Sequence, residues 1–341
     1  MLRKILLFSA GILIALAGLE ITLQLLPVPT ATMAGYYIDP AIKTYPPHHR
    51  FTVATGWDLK NAHHHETNNF GFVDMRDFEK NPGGIAVIGD SYVEANMLAP
   101  ERRIGPQLES LLEDRTVYSM GVPGTSLLDY AHRARFAHDQ FGIERLVIIV
   151  ETGDVRQMLC DSGNHARDCV DARTLAIRQT SDPVDGIIKR VVRHSALAQY
   201  LFSQLRIQPV AWLESLFQPA PASSPARPHD DADDPVPPAT ASRLVDLFIE
   251  AFPRTNERPI IVINISHFSE TTERRNAVQM DILEEKARAA GMDVIRLAPA
   301  FDQWASRSPL SLFVGPYDTH WNATAHRIAA QSVAAVIQNR H

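Results

Sequence analysis

Short, uninterrupted apolar runs alternate with helical patterns from residue 84 onward, and this alternation constrains the fold most. The runs at 85–88, 116–120 and 145–151 alternate with helical spacing at 104–112 and 126–140. Strands that are apolar on both faces belong to a parallel sheet covered by helices on both sides. The pattern resumes later, with a helix predicted at 242–252, a strand at 259–265, a helix at 273–290, a strand at 293–297 and a last helix at 323–338. The sequence therefore predicts an α/β body with a parallel sheet of about five strands.

The N-terminus predicts a membrane anchor over residues 1–30. An apolar stretch from Ile5 to Leu26 follows Arg3 and Lys4, and about 20 apolar residues suffice to cross a bilayer as a helix. A cleaved signal sequence is the alternative, but its apolar region is usually shorter and ends in a small-x-small site. Positive charges stay in the cytoplasm, so we expect the body on the periplasmic side of an inner membrane.

The two cysteines agree with an extracytoplasmic body. Cys160 and Cys169 lie close together in a polar segment, and an oxidising compartment would join them as a disulfide. Two unrelated thiols are the alternative. His165 lies between them, but two cysteines and one histidine are one ligand short of a structural zinc site, so no metal is predicted.

Two segments interrupt or precede the alternation. Residues 31–83 read as an irregular lead-in, in which His63, His64 and His65 are interpreted as a solvated loop. Within the body, 84–341, we interpret about 155–240 as an insertion. It contains a helical piece near 186–217 and a Pro-, Ala- and Asp-rich flexible loop at 218–241.

Nucleic acid is not an expected partner. The formal net charge is -6, and no basic stripe interleaved with aromatic residues occurs. The expected partners are the membrane, through the N-terminal helix, and a substrate. The sequence does not identify a protein partner.

Ser91, Asp318 and His320 are the candidate catalytic residues. Ser91 follows the strand 85–88 in a Gly-Asp-Ser turn, and the other two precede the last helix. A serine hydroxyl needs a base to take its proton, and a carboxylate to orient that base. Each residue alone could be a helix cap or a core histidine, but their order and their places at the ends of elements favour a triad.

Four blocks of this sequence resemble the SGNH/GDSL hydrolases. The blocks are Ile88-Gly89-Asp90-Ser91, Met120 to Ser126, Val150 to Asp154, and Asp318-Thr319-His320-Trp321-Asn322. The resemblance covers 84–154 and 242–338, and the lead-in residues 68–72 resemble a strand of membrane-anchored members. The Asp-Thr-His-Trp spacing is also similar to that of the alginate O-acetylation proteins. The resemblance implies a flavodoxin-like, three-layer α/β/α fold.

The resemblance also implies residue roles. Ser91 would be the nucleophile, His320 its general base and Asp318 the residue that orients the histidine. The oxyanion hole would use the backbone N–H groups of Ser91 and Gly121. Its third donor is an asparagine in the family, and here Gly153 stands at that position.

This departure at Gly153 leaves three alternatives. Thr152 or Asn96 could replace the asparagine, or the enzyme is slow, or it is no longer a hydrolase. Asp90 and Asp154 are interpreted as structural supports of the loops.

Three functions follow. The first is an extracytoplasmic serine esterase that removes acyl groups, most simply acetyl, from an envelope or extracellular carbohydrate. The second is an O-acetyltransferase that uses the same triad. The third is a membrane-tethered binding protein of envelope polymer export. The chemistry of the first two needs no metal or cofactor.

Overall fold

The structure is a computed structural model that describes residues 2–30, 33–59, 61–112, 114–162, 164, 167–180, 193–205, 236–264, 270–315 and 318–340. The described helices are α1 (Leu2–Gln24), α2 (Ser91–Glu94), α3 (Ile104–Leu111), α4 (Leu127–Phe141), α5 (Asp154–Gln157), α6 (Ala196–Gln199), α7 (Pro238–Ala251), α8 (Glu270–Ala289), α9 (Ala298–Ala305) and α10 (Ala323–Gln338). The described strands are β1 (Gly35–Asp39), β2 (Ile42–Thr44), β3 (Arg50–Val53), β4 (His63–Glu66), β5 (Ile85–Gly89), β6 (Val117–Gly121), β7 (Arg145–Glu151), β8 (Asp168–Val170), β9 (Ile177–Gln179), β10 (Ile260–Asn264), β11 (Asp293–Arg296), β12 (Phe313–Gly315) and β13 (Asp318–Trp321).

A five-stranded sheet organises the larger of two compact units, which comprises 34–49, 66–182 and 226–341. Its strand order is β11-β10-β7-β5-β6, and all four pairings are parallel. Numbered within the sheet, this is the 2-1-3-4-5 order of flavodoxin-like folds. Each strand lies within about one residue of its predicted bounds, and the predicted α/β fold is confirmed.

Both faces of the sheet are buried, which explains the uninterrupted apolar runs. On one face, Ala86 and Ile88 of β5 belong to a core formed with α4, α7 and α8. On the other face, Ile85 and Val87 belong to a core formed with α3, α9 and α10. Alternate side chains of a strand point to opposite faces, so a three-layer sandwich favours apolar residues on both faces of its strands.

The predicted flexible loop ends earlier than expected. It was predicted to reach Ala241, but helix α7 begins at Pro238, so the last four residues of the loop are helical. Proline is well suited to the first turn of a helix because its φ is already fixed there. Ala241 is fully buried. The part of the loop before 236 lies outside the described residues, as does most of the helical piece predicted near 186–217.

The lead-in is more regular than predicted. It contains two antiparallel pairs, β1 with β2 and β3 with β4. The three histidines interpreted as a solvated loop form β4, and His65 is only 6% exposed because it packs against Phe51. Residues 68–72 form a turn and no strand: the Asn68 side chain accepts the N–H groups of Phe70 and Phe72.

The smaller unit comprises 1–33, 50–65 and 183–225. Its helix α1 is long and apolar enough over Arg3–Gln24 to cross a membrane, and the 18-residue apolar window within it is not buried within the protein. A signal sequence near the N-terminus can meet the same test of length and composition, so the finding fits an anchor and a cleaved signal alike.

His326 is a polar side chain without a hydrogen-bond partner in the described part of the core. It is fully buried on α10 beside the Trp321 ring. Burial lowers the pKa of His326 from 6.5 to about 3, and the positive charges of Arg103 and His320 act in the same direction. The histidine is therefore neutral in the folded protein near neutral pH.

We expect His326→Leu to raise the free energy of unfolding by about 1 kcal/mol at pH 7, because it removes an unsatisfied polar group. The unfolded chain takes up a proton near pH 6.5 and the folded one does not. As the pH falls below 6.5, the free energy of unfolding of the wild type should therefore decrease, relative to that of the variant, by up to about 1.4 kcal/mol per pH unit. Urea denaturation between pH 5 and 8 measures both effects, with His138→Leu as the control for a half-exposed histidine. A less stable variant at pH 7 would contradict the prediction.

Candidate active site

Ser91 lies at the carboxyl end of β5, at the first residue of helix α2. Asp90 caps this helix, and its Oδ1 accepts the N–H of Tyr92 at 2.9 Å. The turn is tight at Gly89, where an added Cβ would lie 2.5 Å from Cγ2 of Val93. The sequence Gly-Asp-Ser thus places a hydroxyl at the edge of a parallel sheet where strand ends converge.

The structure brings the three predicted catalytic residues together. His320 Nε2 lies 2.9 Å from Ser91 Oγ, and His320 Nδ1 lies 2.6 Å from Oδ1 of Asp318. The backbone N–H of His320 also donates to the same carboxylate oxygen, at 3.0 Å. Asp318 and His320 lie on strand β13, and the described chain places β13 beside β12. This geometry can remove a proton from the serine hydroxyl.

The electrostatics of the pair favour a charged Asp318 and a basic His320. Burial alone would lower the pKa of His320, but the hydrogen bond and charge of Asp318 outweigh it and raise the pKa above 6.5. Burial would raise the pKa of Asp318, but its hydrogen bonds with His320 hold the pKa below its usual value. The carboxylate therefore stabilises the imidazolium that forms when His320 accepts a proton.

Gly121, the predicted second oxyanion donor, lies at the end of β6 opposite Gly89 of β5. Strand β6 is at the edge of the sheet. On its free side, the N–H of Val117 donates to the Glu109 carboxylate and the N–H of Ser119 donates to the Asp74 carboxylate. A Cβ at Gly121 would lie 2.1 Å from the backbone nitrogen of Glu94, so only glycine fits against helix α2.

The three groups predicted for the third oxyanion position each donate a hydrogen bond to a carboxylate. The N–H of Gly153 donates to Glu151 Oε2 at 2.7 Å, and the Thr152 hydroxyl donates to Glu151 Oε1 at 2.7 Å. Asn96 donates its side-chain amide to Glu94 Oε2 at 3.0 Å. Each of these groups donates a hydrogen bond to a carboxylate, and the oxyanion roles of the Ser91 and Gly121 N–H groups stay predictions.

Asp90 and Asp154 occupy supporting positions, as the sequence predicts. Asp154 Oδ2 accepts the N–H of Glu151 at 2.7 Å and thereby holds the turn after β7. Burial raises the pKa of Asp90 to about 6 and that of Asp154 well above its usual value.

Arg133 is a central residue that sequence reasoning missed. This fully buried side chain donates to the carbonyl oxygens of Gly89 at 2.7 Å and Met120 at 2.5 Å, and to the Thr125 hydroxyl at 2.6 Å. It ties together the strand ends that precede Ser91 and Gly121. An arginine on the apolar face of the predicted helix 126–140 was the available signal.

Tyr45 and Glu94 form a second unpredicted contact beside the nucleophile. The Tyr45 hydroxyl donates to Glu94 Oε1 at 2.6 Å. Burial raises the pKa of Glu94 to about 7, against the lowering effects of Tyr45, Arg103 and His320. Residue 45 lies in the lead-in, so part of this segment supports the site.

The two cysteines form the predicted disulfide, Cys160–Cys169. His165 lies outside the described residues. Within the described chain, no cluster of three or more histidine, cysteine, aspartate or glutamate side chains could hold a metal ion.

Comparison with known proteins yields structural likeness only. No protein-family model and no curated protein matches the chain. The similar solved structures include a lipolytic protein of the G-D-S-L family from Veillonella parvula, at 12% identity and a TM-score of 0.40, with 75% of this chain and 98% of that one covered. Another is the lipase/acylhydrolase from Enterococcus faecalis, at 12% identity and a TM-score of 0.41, with 75% and 96% covered. A third is an acetyl-xylooligosaccharide esterase from Geobacillus, at 13% identity and a TM-score of 0.38, with 75% and 94% covered.

These likenesses are distant, so the functional interpretation rests on the geometry of Ser91, His320 and Asp318.

We expect Gly121→Ala to lower the free energy of unfolding by more than about 2 kcal/mol, because its methyl group would collide with the backbone of α2. Gly153→Ala is the matched control. Its methyl group would meet the ends of the Gln157 and Glu151 side chains at 3.0 Å, and these can move. Measured by urea denaturation, the free energy of unfolding of the control should differ from that of the wild type by less than about 1 kcal/mol. Equal effects of the two changes would refute this account of Gly121.

The reaction of Ser91 with a fluorophosphonate should follow the protonation of His320. The neutral imidazole is the base, and its pKa is raised, so we expect the labelling rate to fall as the pH decreases, with a midpoint above 6.5. In Asp318→Asn, the negative charge that stabilises the His320 imidazolium is lost. The midpoint should then move to lower pH, and the maximal rate should fall by about 10⁴-fold. Labelling rates measured from pH 5 to 9 test this, and an unshifted midpoint would contradict it.

Proposed function

We propose that this protein is an extracytoplasmic serine esterase that hydrolyses acyl esters through Ser91, His320 and Asp318. The observation that carries the proposal is the continuous hydrogen-bonded chain from the Ser91 hydroxyl through His320 to Asp318. It joins residues 229 positions apart at the edge of the sheet where the strands end.

The reaction has two stages. His320 Nε2 removes the proton from Ser91 Oγ as this oxygen attacks the ester carbon, and the developing oxyanion is held by the N–H groups of Ser91 and Gly121. His320 then gives the proton to the departing alcohol, which leaves an acyl group on Ser91. A water molecule attacks the acyl carbon as His320 takes its proton. The bond between this carbon and Ser91 Oγ then breaks, the acid is released, and His320 returns the proton to Ser91 Oγ.

The N-terminal helix and the disulfide support the location. With Arg3 and Lys4 on the cytoplasmic side, helix α1 would cross the inner membrane and leave the catalytic unit on the periplasmic side. A disulfide between Cys160 and Cys169 persists in such an oxidising compartment. Acetyl esters of envelope or extracellular carbohydrates are the substrates that this location favours.

A second candidate follows from the oxyanion hole. Gly153, Thr152 and Asn96 are all bound to carboxylates, and loss of one side-chain donor can cost about 10²–10³ in turnover. This observation favours a membrane-tethered binding protein in which the triad is weak or silent.

The first experiment measures release of p-nitrophenol from its acetate by the full chain in detergent. We expect activity that falls by at least about 10³-fold in Ser91→Ala, because the acyl-enzyme cannot form. Ser110→Ala, an exposed serine on α3, is the control and should leave the rate unchanged.

Two outcomes would decide against the esterase. Activity that persists in Ser91→Ala would exclude this serine as the nucleophile. A folded wild type that neither turns over the ester nor reacts with a fluorophosphonate would favour the binding protein.

A further inference from the structure

The last turns of α1 are covered by a second helical segment from the insertion. Glu20, one turn before the end of α1, accepts hydrogen bonds from the Ser195 hydroxyl at 2.8 Å and from the N–H groups of Ala196 and Leu197, both at 2.9 Å. Ser195 is the N-cap of helix α6, and Ala196 and Leu197 are its first residues. The helix continues as a π-helical turn over Tyr200–Gln204. The carboxylate thus caps this helix from another part of the chain.

Apolar contacts and further hydrogen bonds complete the attachment. Leu23 of α1 is only 8% exposed, and the cluster around it includes Ala54, Leu59 and residues of α6. The Tyr200 hydroxyl donates to the carbonyl of Trp57 at 2.8 Å, and the Gln204 side chain donates to that of Ala54 at 3.2 Å. Residues 54–59 and 195–205 therefore pack around one end of α1.

The length of α1 sets the depth of this packing. From Lys4 to Glu20 the helix rises about 24 Å, at about 1.5 Å per residue. The hydrocarbon core of a bilayer is about 30 Å thick. With Lys4 at the cytoplasmic boundary, an untilted α1 would place Gln24 at the outer boundary of the hydrocarbon, and Glu20 with the helix that it caps about 6 Å inside it, in the outer leaflet.

Several large apolar side chains of the same unit are exposed. Trp57 is 71% exposed, Leu25 is 83% exposed, and Phe202 and Leu205 are each 44% exposed. Tryptophan and exposed apolar residues beside a membrane span are typical of the interfacial region, where an amphipathic helix lies in the plane of the bilayer.

We propose that residues 195–205, together with the segment around Trp57, form an interfacial membrane-binding surface that inserts Phe202, Leu205 and Trp57 among the phospholipids of the outer leaflet. The proposal rests on the membrane span proposed above for α1. It also gives Glu20 a role, since an unpaired carboxylate near the hydrocarbon is costly and three donors from the docked helix satisfy it.

The test uses the full chain in vesicles of phosphatidylethanolamine and phosphatidylglycerol. A nitroxide is attached to Phe202→Cys, to Ile14→Cys in the middle of α1, and to Glu285→Cys on the exposed face of α8. The native cysteines are paired, so each label is unique. Collision rates with oxygen, which enters the lipid, and with a water-soluble nickel chelate give the depth of each label.

We expect the oxygen-to-nickel ratio at 202 to be severalfold above that at 285 and below that at 14. In Glu20→Ala the ratio at 202 should fall toward that at 285, because α6 loses its cap, while the ratio at 14 stays unchanged.

Three outcomes would overturn the proposal. A label at 202 as accessible to nickel as that at 285, with 14 in lipid, would refute the interfacial surface and leave the span intact. A label at 202 shielded from both reagents would indicate contact with protein, such as a second copy. A label at 14 in water would refute the span, and the interfacial surface with it.

Discussion

The guanidinium of Arg133 is the interaction on which the candidate site depends. It donates to the carbonyls of Gly89 and Met120, near the ends of two neighbouring parallel strands, and to the Thr125 hydroxyl in the turn that follows the second strand. Parallel strands bring their carboxyl ends to one edge, but their loops diverge from there. A fixed planar donor at this edge holds the serine turn and the Gly121 turn in register with each other, since its several N–H groups have set directions.

The charge of Arg133 requires compensation because the side chain is fully buried. Burial lowers its pKa, and the surrounding carboxylates of Asp129, Asp90 and Asp154 oppose that change. The buried ions therefore form a mutually dependent group beneath the triad, in which a single missing partner would leave an uncompensated charge. His320 and Asp318, in contrast, keep about a third and a fifth of their side chains exposed. The reacting groups thus face solvent, while the groups that position them are removed from it.

Much of the fold and the triad could be predicted from the sequence because each depends on local signals. Continuous apolar runs identify strands buried on both faces, and Gly-Asp-Ser at the end of one of them identifies the serine turn. Tertiary contacts decided the rest. His65 becomes buried only because Phe51 on the neighbouring strand covers it, and helix α7 begins early because Ala241 reaches the core. The engagement of Gly153, Thr152 and Asn96 with carboxylates also could not be predicted, since adjacent sequence does not reveal hydrogen-bond partners.

Asp318 and His320 are separated by one residue on a single short strand, whereas the serine that they serve lies 229 positions earlier. The proposed base and the carboxylate that orients it are therefore local to each other, and only their meeting with the proposed nucleophile needs the whole fold. During synthesis from the N-terminus, the serine turn and most of the sheet emerge long before this unit does. Under the proposed mechanism, the nascent chain would hold an inert hydroxyl until strand β13 docks, and the serine would become reactive only when folding is complete.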